Sequence, residues 1–188
     1  MNFSDVIGQE ATKQRLLQMI KEDRVPHAML FCGPEGVGKM ALAMAFANYL
    51  LAGDEVDNTD SPLISNAIAM LRKWEHPDLH FSFPTIKLPS MSGDHQPVSA
   101  DFAKEWHKLI MRGAYFTMAQ WMKQMGATTQ QAIITGAESD ELSRVLALKS
   151  SQGGYKIAII WRPERMNLTS ANKLLKLLEE PPQGTIFL

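Results

Sequence analysis

Apolar residues recur along this chain at two periods, and the switching between those periods outlines its elements. In QEATKQRLLQMIKEDRV, Leu16, Leu17 and Ile20 fall at helical spacing among charges. That spacing predicts an amphipathic helix after the loop at Ile7 and Gly8, closed by Pro26. HAMLFC is a short apolar run that predicts a strand leading straight into Gly33, and KMALAMAFANYLLAG predicts a helix ended by Gly53. From Asp54 to Asp60 the composition turns acidic and polar, as in a linker; Ser61-Pro62 then reads as the N-cap and first turn of a helix to about Trp74.

HPDLHFSFPTI resumes an extended pattern, with Phe81 and Phe83 alternating against Ser82, and the Pro, Ser and Gly content of 88–97 predicts a surface loop. Ser99 is placed to cap a helix bearing Phe102, Trp106, Leu109 and Ile110; a second helix carries Met118, Trp121, Met122 and Met125. Stripes at this spacing predict core. Thr135-x-x-Glu138 has the form of a capping box before a helix with Leu142, Val145, Leu146 and Lys149. YKIAII, Tyr155 to Ile160, is a second apolar strand between Gly153-Gly154 and Pro163. In NLTSANKLLKLLEEPP, Ala171, Leu174, Leu175 and Leu178 form the predicted apolar stripe, and Pro181-Pro182 forces the stop. Strands alternating with helices predict an α/β fold, a parallel sheet flanked by helices.

Length and charge narrow the function classes. A chain of 188 residues holds one ordinary domain, here read as 1–188 with a mainly helical insertion at about 54–130. With 19 basic against 20 acidic side chains, the balance does not suggest a free-standing DNA-binding domain, which would cluster basic and aromatic residues. The single cysteine, Cys32, forms no internal disulfide and no thiolate metal site alone. The amino terminus lacks a signal-peptide pattern, and no apolar run reaches the roughly 20 residues needed to span a bilayer, so a cytoplasmic protein without membrane contact is expected. GTIFL is β-prone and the chain stops within it, so a fragment of a longer protein is expected.

The chemistry centres on GPEGVGKM, Gly33-Pro34-Glu35-Gly36-Val37-Gly38-Lys39-Met40. A loop of the form G-x-x-x-x-G-K-[ST] cradles phosphates with backbone N–H groups and holds Mg²⁺ with its last hydroxyl. The preceding strand, the following helix and Lys39 supply the donors and cation a polyphosphate needs, but Met40 replaces the hydroxyl. In P-loop enzymes a carboxylate at the tip of a neighbouring apolar strand holds the metal. The candidate strand KIAII ends in Trp161-Arg162, so the hydroxyl, the metal-holding carboxylate and the general base are all replaced. Glu164 is displaced from that register by Pro163. Arg162 is either a surface cation paired with Glu164 or Glu35, or a resident cation in the anion pocket.

Together these residues resemble a family. FSDVIGQEATKQRLLQMIKEDRVPHAMLFCGPEGVGK is similar to the amino-terminal segment of bacterial clamp-loader AAA+ subunits, and SANKLLKLLEEPP to the helix and Pro-Pro stop after their second motif strand. The resemblance implies the P-loop NTPase (AAA+) fold. Met40, Trp161 and Arg162 point to the family's degenerate delta-prime branch rather than to gamma/tau ATPases. It implies a subunit without intrinsic hydrolysis in a DNA polymerase III complex, which carries nucleotidyltransferase activity. Its partners would be clamp-loader ATPase subunits, a clamp-opening subunit, the sliding clamp and, through the assembly, primed DNA. An active gamma/tau-like ATPase is the alternative. No cofactor is required; the surviving Gly33, Gly36, Gly38 and Lys39 are compatible with weak ATP or ADP binding. Family members often carry a four-cysteine zinc module before the HPD segment, but this chain has no cysteine there, and His76 with His80 offers at most two ligands, so no zinc is expected. The family's arginine finger, sensor, lid and collar regions would lie beyond Leu188.

Overall fold

In the computed structural model, which describes residues 1–53, 66–127, 129–151 and 154–188, the sequence folds as a parallel sheet with helices packed around it. The elements in chain order are α1 (Glu10–Lys21), α2 (Lys39–Ala52), α3 (Asn66–Arg72), β1 (Leu79–Ser82), α4 (Ala103–Ile110), α5 (Met118–Gln124), α6 (Gly136–Leu146), β2 (Lys156–Ile160), α7 (Leu168–Glu179) and β3 (Thr185–Phe187). The strand order is β1-β2-β3, all parallel, with Phe81 beside Ile159 and Ile157 beside Ile186. The acidic linker, the Ser61-Pro62 cap and Gly153 lie outside the described residues.

The strand predicted over 27–32 is only a bridge. The Phe187 N–H donates to the His27 carbonyl at 2.8 Å, the Met29 N–H donates to the Phe187 carbonyl at 2.9 Å, and no ladder continues beyond. This segment flanks β3, and Leu30 is 74% exposed. Helix α1 stops at Lys21, short of the predicted run to Pro26, because Asp23 enters the left-handed region at φ 51°. Helix α2 behaves as its composition predicts: every residue from Ala41 to Asn48 is buried, and Gly53 closes it. A helix apolar all round belongs inside.

Two kinds of packing hold the layers. On the α4–α5 side, large rings dominate. Phe83 stacks on Trp106 with centroids 4.0 Å apart, and Trp121 meets both rings edge-on while its indole N–H donates to the Pro84 carbonyl at 2.7 Å. Ser82 is as buried as Phe83, and His80 and Phe81 are both half-buried, so the expected in-and-out alternation of β1 does not hold.

On the α6–α7 side, small residues let two backbones approach. A Cβ on Gly136 would lie 2.8 Å from Thr169 Cγ2, a contact real side chains do not make. The Ser139 and Ser170 hydroxyls meet at 2.7 Å in the same seam. Helix α7 therefore buries Ser170, Leu174 and Leu177, whereas Leu175, predicted for the core stripe, is 56% exposed. The stripe is rotated because Thr169 and Ser170 in its first turn, invisible to a hydrophobic count, face Gly136 and Ser139 of α6.

The predicted caps change partners. Thr135 does occupy the N-cap of α6, but its hydroxyl donates to the Pro97 carbonyl, and Glu138 accepts instead from the Ser99 N–H and hydroxyl. Ser99 thus links β1, α6 and the start of a 3₁₀ turn, Ser99–Phe102, rather than capping α4 directly. A reciprocal capping box does form at Thr117 and Gln120, at the start of α5. Helix α6 ends at Leu146, before Lys149.

Candidate functional site

The glycine loop opens α2. Gly38 sits at φ 88°, a conformation that favours glycine, and its carbonyl accepts the Leu42 N–H at 2.9 Å as the helix begins. The Lys39 ammonium turns back on the loop and donates to the Gly33 and Pro34 carbonyls at 2.7 and 2.6 Å. Pro34, Glu35 and Gly36 form the exposed crest, and beside it the Gln9 side-chain amide donates to the carbonyl of the half-buried Val37 at 3.2 Å. Met40 faces inward and packs against the core. Loop and strand tip come together as the sequence pattern requires.

That tip is built from hydrophobic and cationic side chains. The Trp161 N–H donates to the Ser82 carbonyl at 2.8 Å, which extends the β1–β2 pairing by one residue. The Trp161 ring packs against Trp106 at 5.5 Å and Phe116 at 5.1 Å, so it continues the aromatic core to the end of the strand. Arg162 leaves the sheet in the left-handed region at φ 62°, which turns its side chain back toward the loop. Its guanidinium donates to Glu35 on the loop crest and to Glu164, the latter at 3.3 Å. The side chain is 25% exposed. Burial pulls its pKa down, but the hydrogen bonds to both carboxylates outweigh that and hold it above the usual arginine value. Of the two readings of Arg162, carboxylate pairing is the one the structure displays, with both candidate partners engaged.

One side chain at the loop escaped the motif reading. Tyr115, from the turn between α4 and α5, accepts the Ile7 N–H at its hydroxyl at 2.8 Å. A Cβ on Gly38 would lie 3.3 Å from the Tyr115 ring. The only sequence signal is two adjacent aromatics in GAYF, between helices and without periodicity.

A second polar cluster lies beside β1, where a cavity of about 480 Å³ is lined by Phe81, Phe83, Trp106, His80, His107 and Glu138. Burial pushes the Glu138 carboxyl up despite the Ser99 and Ser82 hydrogen bonds, and burial pushes the His80 imidazole down against the pull of Asp78. His76 and His80 do not form a pair of ligands on one helix: His76 precedes β1, where its Nδ1 accepts the Asp78 N–H at 3.2 Å, and His80 lies within β1. Among the described residues, no helix is long and apolar enough to cross a membrane.

Comparison with known proteins agrees with this architecture. The tau/gamma subunit of DNA polymerase III from Haemophilus influenzae is 25% identical over 186 residues, 99% of this chain and 20% of that protein. A replication factor C small subunit from Methanocella arvoryzae is 48% identical over 48 residues, 26% of this chain and 15% of that protein. The RuvB subunit of the Holliday junction branch migration complex from Leuconostoc mesenteroides is 33% identical over 94 residues, 46% of this chain and 26% of that protein. The chain thus spans a fifth or less of the length of the first two relatives. The parallel sheet, its flanking helices and these similarities are those of a P-loop NTPase fold. A family profile described as "DNA polymerase III, delta subunit" matches residues 8–188, nearly the whole chain, and the protein therefore belongs to that family.

Proposed function

We propose that this chain is a non-hydrolysing subunit of a clamp loader, of the delta-prime kind, that supports ATP-driven loading of a sliding clamp on primed DNA. The observation that carries the reading is the tip of β2. Hydrolysis by a P-loop enzyme needs a divalent cation bridging the terminal phosphates and a group that orients water. Around this loop the side chains that would meet those needs are a thioether at Met40, an indole at Trp161 and a guanidinium at Arg162. None offers an anionic oxygen. The nearby carboxylates, Glu35 and Glu164, are both engaged by Arg162. This donor set does not fit magnesium, which takes oxygen ligands in near-octahedral array. Repositioning Trp161 would break the ring contacts that end the aromatic core.

In this reading the chain contributes shape rather than turnover. Neighbouring ATPase subunits supply the motion, and a clamp-opening subunit, the clamp and DNA are met through the assembly. Support comes from the family match over 8–188 and from the similarity to a tau/gamma subunit along 99% of the chain. That same similarity, with the surviving Gly33, Gly36, Gly38 and Lys39, favours a second reading, an active gamma/tau-like ATPase. Steady-state ATP hydrolysis with Mg²⁺ separates them. No turnover above a Lys39→Ala control is expected, together with recovery of a clamp-loader ATPase when the full-length protein is used as bait. Turnover that Lys39→Ala abolishes would decide for the second reading.

A further inference from the structure

Tyr115 touches the loop at the end away from Arg162, and the two ends have different chemical meaning. In a phosphate loop the lysine reaches the β- and γ-phosphates, while the backbone N–H groups at the helix start hold the α- and β-phosphates. A nucleoside is joined to the α-phosphate, so its ribose and base must leave the loop past the helix start, at Gly38. What lies there is the gap between the loop and the amino-terminal turn. On one side stand Val37 and Gly38, on the other Ile7 to Gln9, and Gln9 joins the two by donating to the Val37 carbonyl at 3.2 Å. The Tyr115 ring spans this gap. One edge lies against Gly38, where a Cβ would be 3.3 Å from the ring carbon and 3.4 Å from the oxygen, and the hydroxyl accepts the Ile7 N–H at 2.8 Å.

We propose that Tyr115 determines which ligands the loop accepts: its phenol fills the niche a nucleoside would need, so the loop takes polyphosphate alone in preference to an adenine nucleotide. The phenol is an aromatic ring with one hydrogen bond to a backbone N–H, the two features by which a protein commonly receives a planar base. It is also 44% exposed, so it can be displaced without unpacking the core. Its neighbour Phe116 is anchored on Trp161, which fixes the turn that delivers the ring. A nucleotide must therefore first expel Tyr115, and its apparent affinity falls by the fraction of molecules in which the niche is open. The proposal deepens the reading of the site as a loop that binds without cutting, and it rests on that reading.

Calorimetric titration of the chain with ADP and with inorganic tripolyphosphate tests it. Tyr115→Ala is expected to bind ADP about tenfold more tightly than the unaltered chain, the gain that opening a niche free in about a tenth of molecules would give. Tyr115→Phe, which keeps the ring, should stay near the unaltered affinity, and adding Lys39→Ala to Tyr115→Ala should remove the gain. Tripolyphosphate, having no base, should bind the unaltered chain and Tyr115→Ala alike. Equal ADP affinities with and without the ring would overturn the assignment, as would a matching gain for tripolyphosphate or failure of every variant to bind either ligand. An unchanged thermal unfolding midpoint for Tyr115→Ala shows that the comparison is between folded proteins. ATP turnover in the same samples would instead defeat the non-hydrolysing reading and leave the ADP comparison standing.

Discussion

At its first residue β2 buries Lys156, 5% exposed, and spends the ammonium on the Leu146 and Leu148 carbonyls where α6 ends. Just past its last residue the same strand presents Trp161 and Arg162, a ring that completes an aromatic cluster and a cation shared by two surface carboxylates. Each end carries a basic side chain, but only one charge is committed to the fold. Lys156 satisfies the Leu146 carbonyl, which α6 leaves without an intrahelical donor, and the Leu148 carbonyl just past the helix, and its positive charge suits the negative pole of α6. Arg162 joins groups that water would serve nearly as well. The strand is therefore fastened at its entry and at Trp161, while the charge facing the glycine loop can be changed with little cost to stability.

Substitutions along β2 turn this contrast into numbers. The largest loss belongs to Trp161→Ala, because deleting a ring packed on Trp106 and Phe116 removes transfer energy and leaves a void: about 3 kcal/mol in urea unfolding. A loss well under that would mean the tip is not part of the core. Next comes Lys156→Met, which keeps the stem and removes the donor to two helix-end carbonyls; about 2 kcal/mol is expected by the same measurement, and no loss would mean that the buried ammonium merely balances its own desolvation. Smallest is Arg162→Ala, at about 0.5 kcal/mol, with faster amide exchange at Glu35 and Gly36 as its main sign. If Arg162→Ala proved as costly as Trp161→Ala, the proposed division between the two ends would fail.

Much of this was legible from residue order. The glycine loop at the head of α2, the bounds of β2 within a residue and the stop of α2 at Gly53 each follow from local chemistry that the fold leaves alone. The failures share a cause. Ser99, Thr135 and Glu138 have the right identities for caps, but their hydrogen-bonding capacity was taken by partners distant in sequence, and a local pattern cannot register that competition. A hydrophobic count places Leu175 in the buried stripe of α7, whereas Gly136 and two serines set the contact depth. Tyr115 is not legible in the sequence, because nothing in GAYF distinguishes a ring at a glycine loop from one on a surface turn. At the site, motif residues declared themselves by spacing; the residue that crosses to them from another element did not.

The seam between α6 and α7 has a mechanical corollary. With Thr169 seated over Gly136 and the two serine hydroxyls joined, neither helix can slide along the other without a collision of backbone against methyl. The pair is interlocked like meshed teeth, and a change in the register of one helix requires the two axes to separate first.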